Sequence, residues 1–254
     1  MGFPRAAAVA SRFEAVAATG STNADLRAHA SEAASWPHLS VLVTDNQTAG
    51  RGRLDRVWVA PPGSSLAVSV LLRDLPDDVT ARGWIPLIAG AAMSDAVAAQ
   101  LPGREVSVKW PNDVLVDERK ICGILAEAAG TAVIVGSGVN TRMTADQLPV
   151  PTATSFAAEG AEVDQDRLLA DYLGGLRTHL AALAQSGDAA GSGVHAAVTA
   201  RCATIGRRVR VSLPGERLLE GIATGLDVDG RLLVAAGGVD HAISAGDVVH
   251  ARLA

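Results

Sequence analysis

The sequence predicts an α+β protein, with a larger domain built on a mixed or antiparallel sheet with helices and a small all-β domain at the C-terminus. Three observations predict this. Strand-like runs follow one another in pairs and triplets, without the strict strand–helix alternation of a parallel doubly wound sheet. Two stretches, 84–101 and 164–186, carry apolar residues at helical spacing. Beyond residue 206, short β-prone runs are punctuated by Pro-Gly, Gly-Gly and Asp-containing turns, the pattern of a small barrel or sandwich.

Taken in order, residues 12–17 read as a short strand. Ser21-Thr22-Asn23 offers N-cap chemistry for a helix over 22–34. Residues 39–44 form a buried strand, 47–56 have neither period, and 65–72 alternate like a strand. The helix over 84–101 precedes three strands at 105–110, 113–117 and 119–128, with Pro111-Asn112 as a tight turn. A strand at 131–136 ends at Gly-Ser-Gly, and 141–162 is irregular. Helices at 164–186 and 190–203 lead to β-runs at 207–213, 217–226, 231–236 and 239–243. We place the domain boundary at 204/205, giving a first domain over 1–204 and a second over 205–254.

Composition narrows the function classes. At 254 residues, with 48% hydrophobic and 19% charged, the chain buries a core and is not disordered. A net charge of −5 gives no general attraction to nucleic acid or anionic membrane, so any anion site must be a local basic cluster. No run reaches the roughly 18 apolar residues of a membrane span. Two cysteines, Cys122 and Cys202, read as free thiols of a reducing compartment, and the expected location is the cytoplasm. The six histidines show no metal-ligand spacing.

Two constellations carry chemistry. Gln47 is followed by Gly50-Arg51-Gly52-Arg53-Leu54-Asp55-Arg56, and then Trp58. Glycines let backbone N–H groups approach anionic oxygens, arginines supply paired donors for carboxylate and phosphate, and Trp58 can stack on a base. A solvated loop ending in a core tryptophan, or a nucleic-acid contact, would show the same residues. The second is Lys109-Trp110-Pro111-Asn112-Asp113 with Lys120 to Gly123 beyond. Of the 22 basic residues only Lys109 and Lys120 are lysines, which suggests positions that need an ammonium. A hairpin here would bring Lys109, Asn112, Asp113 and Lys120 to one end of a sheet, suited to a metal-bound polyphosphate. A plain charged turn is the alternative. Gly136-Ser137-Gly138-Val139-Asn140 is a weaker ligand-loop pattern that fits neither a dinucleotide fingerprint nor a P-loop.

Together, Ser21-Thr22-Asn23, Gln47 with GRGR through Trp58, KWPND at 109–113, Arg119-Lys120 to Gly123 and GSGVN at 136–140 closely resemble the biotin protein ligase family, in order and spacing. The resemblance implies an α+β ligase domain with an SH3-like C-terminal barrel. It implies that biotin and ATP, with Mg²⁺, form biotinyl-5′-AMP, and that biotin then passes to a lysine of a carboxylase's biotin carboxyl carrier domain. Residue by residue, Ser21, Thr22, Asn23, Gln47, Gly50, Arg51, Lys120, Gly123 and Gly138 would bind biotin. Arg53, Arg56, Trp58, Asn112 and Asn140 would bind ATP. Lys120, Arg51 and Arg53 would act in catalysis, and Asp113 at Mg²⁺. The family often has further basic or glycine residues where Leu54-Asp55 stand, so Asp55 lowers the loop's charge. Some relatives carry an N-terminal DNA-binding segment. Here Ser-Thr-Asn begins at residue 21, so no operator binding is expected. A monomer or weak homodimer is the expected assembly, although the sequence itself does not fix it. A lipoate or octanoate ligase, or a non-catalytic biotin-sensing module, are the rival expectations.

Overall fold

Strand β5 (Ser65–Leu72) has every residue buried, as a strand covered on both faces must. It lies inside a seven-stranded sheet with β1 (Arg12–Ala15), β2 (Ser40–Thr44), β6 (Val106–Lys109), β7 (Asp113–Val116), β8 (Arg119–Ala129) and β9 (Ala132–Asn140). The order is β1-β2-β5-β9-β8-β7-β6. Only β1–β2 is parallel, and every other pair is antiparallel, so the sheet is mixed. The computed structural model describes residues 2–54, 56–76, 78, 80–213, 217–244 and 247–250. Asp55 and the Pro214-Gly215 turn therefore lie outside the described residues.

Two helices cover one face of the sheet. In α4 (Gln165–Ser186), Leu168, Leu169, Tyr172, Leu173, Leu176, Leu180 and Leu183 form a buried stripe at helical spacing. Asp164 caps its start by accepting from Arg167 N, and Gly187, at φ 78°, ends it in the left-handed region. Helix α3 (Ile85–Ala98) is buried nearly all round. It packs closely on α4 because Gly175 carries no side chain, and a Cβ there would sit 3.1 Å from that of Ala92. Truncating one of the stripe leucines would cost about 2–5 kcal/mol.

The C-terminal domain is a five-stranded antiparallel sheet of β10 (Arg208–Leu213), β11 (Arg217–Leu226), β12 (Leu232–Ala236), β13 (Val239–Ile243) and β14 (Asp247–His250), in the order β13-β12-β11-β10-β14. Its inward residues, among them Val209, Val211, Val234 and Val248, join the same core cluster as α3 and α4. Two tryptophans fasten it. Trp84 Nε1 donates to Val228 O at 2.8 Å, and Trp110 Nε1 donates to Gly230 O at 3.0 Å.

The structure corrects several expected boundaries. The helix expected over 22–34 is α2 (Thr22–Ala28) and stops early. The Arg73 guanidinium, from the residue after β5, donates to Ala30 O at 2.8 Å and Trp36 O at 2.7 Å, so the Ala30 carbonyl needs no further helical turn. The helix expected over 190–203 is only α5 (Val194–Thr199). The strand expected to end at Gly-Ser-Gly runs on through it to Asn140, because β5 and β8 pair with β9 on both sides there. The stretch 47–56, read as aperiodic, contributes to a minimal ribbon of β3 (Gly50–Arg51) and β4 (Val57–Trp58). Helix α1 (Pro4–Val9), a 3-10 turn over Thr80–Trp84 and strand β14 carried no sequence signal that we read. Helix α1 depends on a distant cap, since Asp166 accepts from Arg5 N and Ala6 N. Both cysteines are free and buried. Among the described residues no helix is long and apolar enough to cross a membrane.

Candidate active site

A cleft of about 360 Å³ opens where α2, the β3–β4 ribbon, the β6–β7 hairpin and β14 meet over strands β8 and β9. Three glycines, Gly123, Gly136 and Gly138, open its floor. Gly123 pairs with Gly138, and Leu125 with Gly136, across β8–β9. A Cβ on Gly136 would collide with the Asn23 amide, and one on Gly138 would come within 2.9 Å of the Trp58 indole. The glycines are therefore space for α2 and the ribbon to close on the sheet.

One end is neutral and polar. Ser21 caps α2 by accepting from Ala24 N, which points the first turn into the cleft. Gln47 Oε1 accepts from Thr22 N at 2.9 Å and from the Thr22 hydroxyl at 3.1 Å. Buried Ser69 lies 2.7 Å from Thr22 Oγ1 and 2.6 Å from Asn23 Oδ1. These groups orient each other, so their remaining donors and acceptors are preorganised for a planar polar ligand.

The other end is cationic. The β6–β7 turn sets Lys109 opposite Asp113, and Lys120 Nζ forms an ion pair with Asp113 Oδ1 at 2.7 Å. Arg53 Nη1 donates to Asn112 Oδ1 at 2.8 Å, while Asn112 Nδ2 donates to Ile124 O at 2.8 Å. Arg56 and Lys109 also line this end. Both backbone groups of Lys120 are bonded to one strap: its N–H donates to Thr152 O at 2.7 Å, and its carbonyl accepts from Thr154 N at 2.8 Å. Buried Glu159 clamps that strap through Thr154 Oγ1 and Arg119, with Arg104 Nη2 at 3.2 Å. Burial pushes the neighbouring Cys122 thiol up to about 12, so it stays protonated and is no nucleophile.

Of the residues singled out from sequence, Ser21, Thr22, Asn23, Gln47, Arg51, Arg53, Arg56, Trp58, Asn112, Asp113, Lys120, Gly123 and Gly138 all line this cleft. Gly50 and Asn140 do not. Gly50 is packed beneath Trp58 and Gln47, where a Cβ would strike both. Asn140 is buried and its amide donates to Thr154 O at 2.9 Å, so it braces the strap behind Lys120. Sequence reading missed Ser69 and Glu127, which hold cleft residues in place, and Val248 and Val249, which line the cleft. Ser69 and Glu127 are lone polar residues in apolar strand runs, a signal that was there to be used. The two valines reach the cleft only because the C-terminal sheet docks against it.

Residues 17–140 match the biotin/lipoate A/B protein ligase family, and residues 204–251 match the biotin protein ligase C-terminal domain. The chain is 41% identical over 244 residues to the biotin–[acetyl-CoA-carboxylase] ligase of Mycobacterium tuberculosis, covering 95% of this chain and 90% of that one. This chain belongs to the biotin protein ligase family. A second biotin–[acetyl-CoA-carboxylase] ligase, from Paracoccus denitrificans, is 31% identical, covering 86% of this chain and 92% of its own. The fold superposes with a TM-score of 0.77 on a biotin protein ligase from Aquifex aeolicus in complex with biotin and ATP, at 25% identity, covering 96% of this chain and all of that one. The likeness to biotin protein ligases thus spans both domains of the chain. The five-stranded C-terminal sheet is the family's C-terminal domain.

Proposed function

We propose that the protein is a biotin–protein ligase, which condenses biotin with ATP to biotinyl-5′-AMP and passes biotin to a lysine of a carboxylase's carrier domain. The observation that carries this reading is one cleft with a preorganised neutral polar end and a cationic end, joined by a glycine floor. A ureido ring suits the first end. A carboxylate meeting a polyphosphate suits the second.

The chemistry is an electrostatic problem. The biotin carboxylate oxygen attacks the α-phosphorus of ATP, the bond to the β-phosphate oxygen breaks, and pyrophosphate leaves. Two anions must approach, and Arg51, Arg53, Arg56, Lys109 and Lys120 line the cleft against the single carboxylate of Asp113 among the described residues. Fixed positive charge in a partly dehydrated cleft stabilises the added charge of the transition state. Alignment of the two reactants supplies roughly 7–11 kcal/mol more. In the second step an amine of the acceptor attacks the acyl carbonyl, AMP leaves, and the amine proton passes to solvent. No side chain of the ligase becomes covalently bound.

Magnesium bound with ATP needs few protein oxygens, because the phosphates supply the rest. Asp113 fits that role, since it lines the cleft at the phosphate end, and it would hold the ion there beside Lys120. The ion would neutralise phosphate charge when present. The division into a catalytic domain over 1–204 and a C-terminal domain over 205–254 belongs to the same proposal. It is supported by the change of architecture between α5, the last element of the part built on the seven-stranded sheet, and β10, the first strand in the chain of the five-stranded one.

The test is titration calorimetry with biotin, with and without a non-hydrolysable ATP analogue, paired with pyrophosphate release on biotin, lipoate and octanoate. Biotin should bind, and biotin alone should drive release. Release on lipoate or octanoate only would overturn the substrate, and binding without release would reduce the protein to a sensor.

A further inference from the structure

Glu127 is an acidic side chain, 16% exposed, toward the end of β8 and just past the glycine floor of the cleft. It shares its face with Leu125 and Gly123, two and four residues back along the strand. Beside it on β9 lies Ile134, which packs with Leu26, Trp36 and Leu42 under α2. A carboxylate at the border of an apolar cluster is costly unless hydrogen-bond donors meet it. It has three. Asn23 Nδ2 donates to Oε2 at 2.7 Å, Arg27 Nη2 to Oε1 at 2.9 Å, and Arg51 Nη2 to Oε2 at 3.1 Å.

The first two donors stand four residues apart on α2 and so share a face. The third comes from the ribbon. That ribbon is weak by itself: two residue pairs make its ladder, and its tip exposes Leu54 and Val57, at 69% and 74%. Little apolar burial holds it down, so named side-chain contacts must. Trp58 lies on Gly138, Arg53 reaches Asn112, and Arg51 reaches Glu127. Of these three anchors, Glu127 alone binds the ribbon and α2 through one group. Its Oε2 atom holds both Arg51 and Asn23, and Asn23 belongs to the polar end of the cleft.

We propose that Glu127 is the latch of the arginine ribbon, a positioning residue that holds Arg51 down and couples ribbon closure to the polar end of the cleft through Asn23. The proposal rests on the ligase reading for its substrate and on geometry alone for the latch. Closure over the cleft keeps a bound acid and its adenylate from leaving. Loss of the latch then raises escape rates more than it slows encounter.

The experiment uses the full chain with Glu127→Gln, Arg51→Ala, the double variant, and Arg27→Ala as a control that touches the same carboxylate without touching the ribbon. Amide exchange of residues 50–58 in the protein alone needs no substrate, and it should quicken in Glu127→Gln and Arg51→Ala but not in Arg27→Ala. Biotin dissociation should quicken by about tenfold in the same two variants, a ratio that corresponds to about 1.4 kcal/mol. The double variant should be no worse than Arg51→Ala. Additive effects, or equal exchange changes in Arg27→Ala, would overturn the latch. If the exchange pattern holds while biotin binds to none of the proteins, the latch stands and the substrate assignment fails.

Discussion

Lys120 shows what a single residue does here. Its ammonium is 2.7 Å from Asp113, its backbone N–H and carbonyl are both bonded to the strap over 152–154, and it faces the cleft where a carboxylate and a phosphate would meet. A guanidinium is wider and planar and cannot replace that point charge. We expect Lys120→Ala and Lys120→Arg to keep the thermal midpoint within a few degrees. Both should slow biotin-dependent pyrophosphate release by at least about 100-fold, the usual effect of losing one transition-state donor. Near-normal release by Lys120→Arg would remove the reason for a lysine. The scarcity of lysine in an arginine-rich chain already pointed to this position. The glycines of β9 were legible only as a glycine-rich strand end. Their cause, the close approach of Asn23 and Trp58, comes from elements far away along the chain.

At the scale of elements, propensity set the existence of helices and strands, and distant side chains set where they stop. Helix α2 is the clearest case. Ser21 starts it as its sequence says, but Arg73, the residue after β5, takes the Ala30 carbonyl that a longer helix would have used, and the Trp36 carbonyl beyond it. Hydrogen bonds from a charged donor are worth about 1.5–3 kcal/mol each, and stranded carbonyls cost more. Arg73→Met should therefore lower unfolding stability by about 2–4 kcal/mol in urea while leaving the biotin affinity of the folded protein within twofold or so. A change in affinity larger than the change in stability would show that the 29–36 turns shape the cleft as well. The β3–β4 ribbon went unread for a related reason. Two-residue strands have no period to detect, and its position is fixed by Glu127, Asn112 and Gly138 on three other strands or turns.

Across the whole molecule, the two sheets are joined at a titratable contact. His250 Nε2 lies 3.1 Å from Thr204 Oγ1, which also accepts from Trp110 N of the β6–β7 turn. Burial, with Lys109 and Arg207 adding to it against Glu118, lowers the His250 pKa to about 4. Burial likewise lowers His38 and His179. A histidine held neutral in the fold binds fewer protons than in the unfolded chain, so stability rises with pH through that window. The contribution is complete above the unfolded value near 6.5 and is lost as pH falls toward about 4. Thermal midpoints should thus drop between those limits, and His250→Gln should flatten part of the slope. An unchanged slope would place the acid sensitivity elsewhere.

By itself, the chain determined the α+β class, the small β domain at its end and, through motifs that resemble a known family, most cleft residues, while the parallel β1–β2 pair that makes the sheet mixed appeared only in the structure. Those follow from signals carried within a few residues: side-chain period, turn chemistry, and charged motifs whose members are neighbours in sequence. Only the tertiary structure decided which glycines had to be glycine, that Asn140 braces the strap behind Lys120 and does not face the cleft, that Glu127 meets Arg51, and that two valines of the last strand reach the site. Contacts between groups far apart in sequence depend on distances in space, and no local pattern encodes a distance until the sheets have packed.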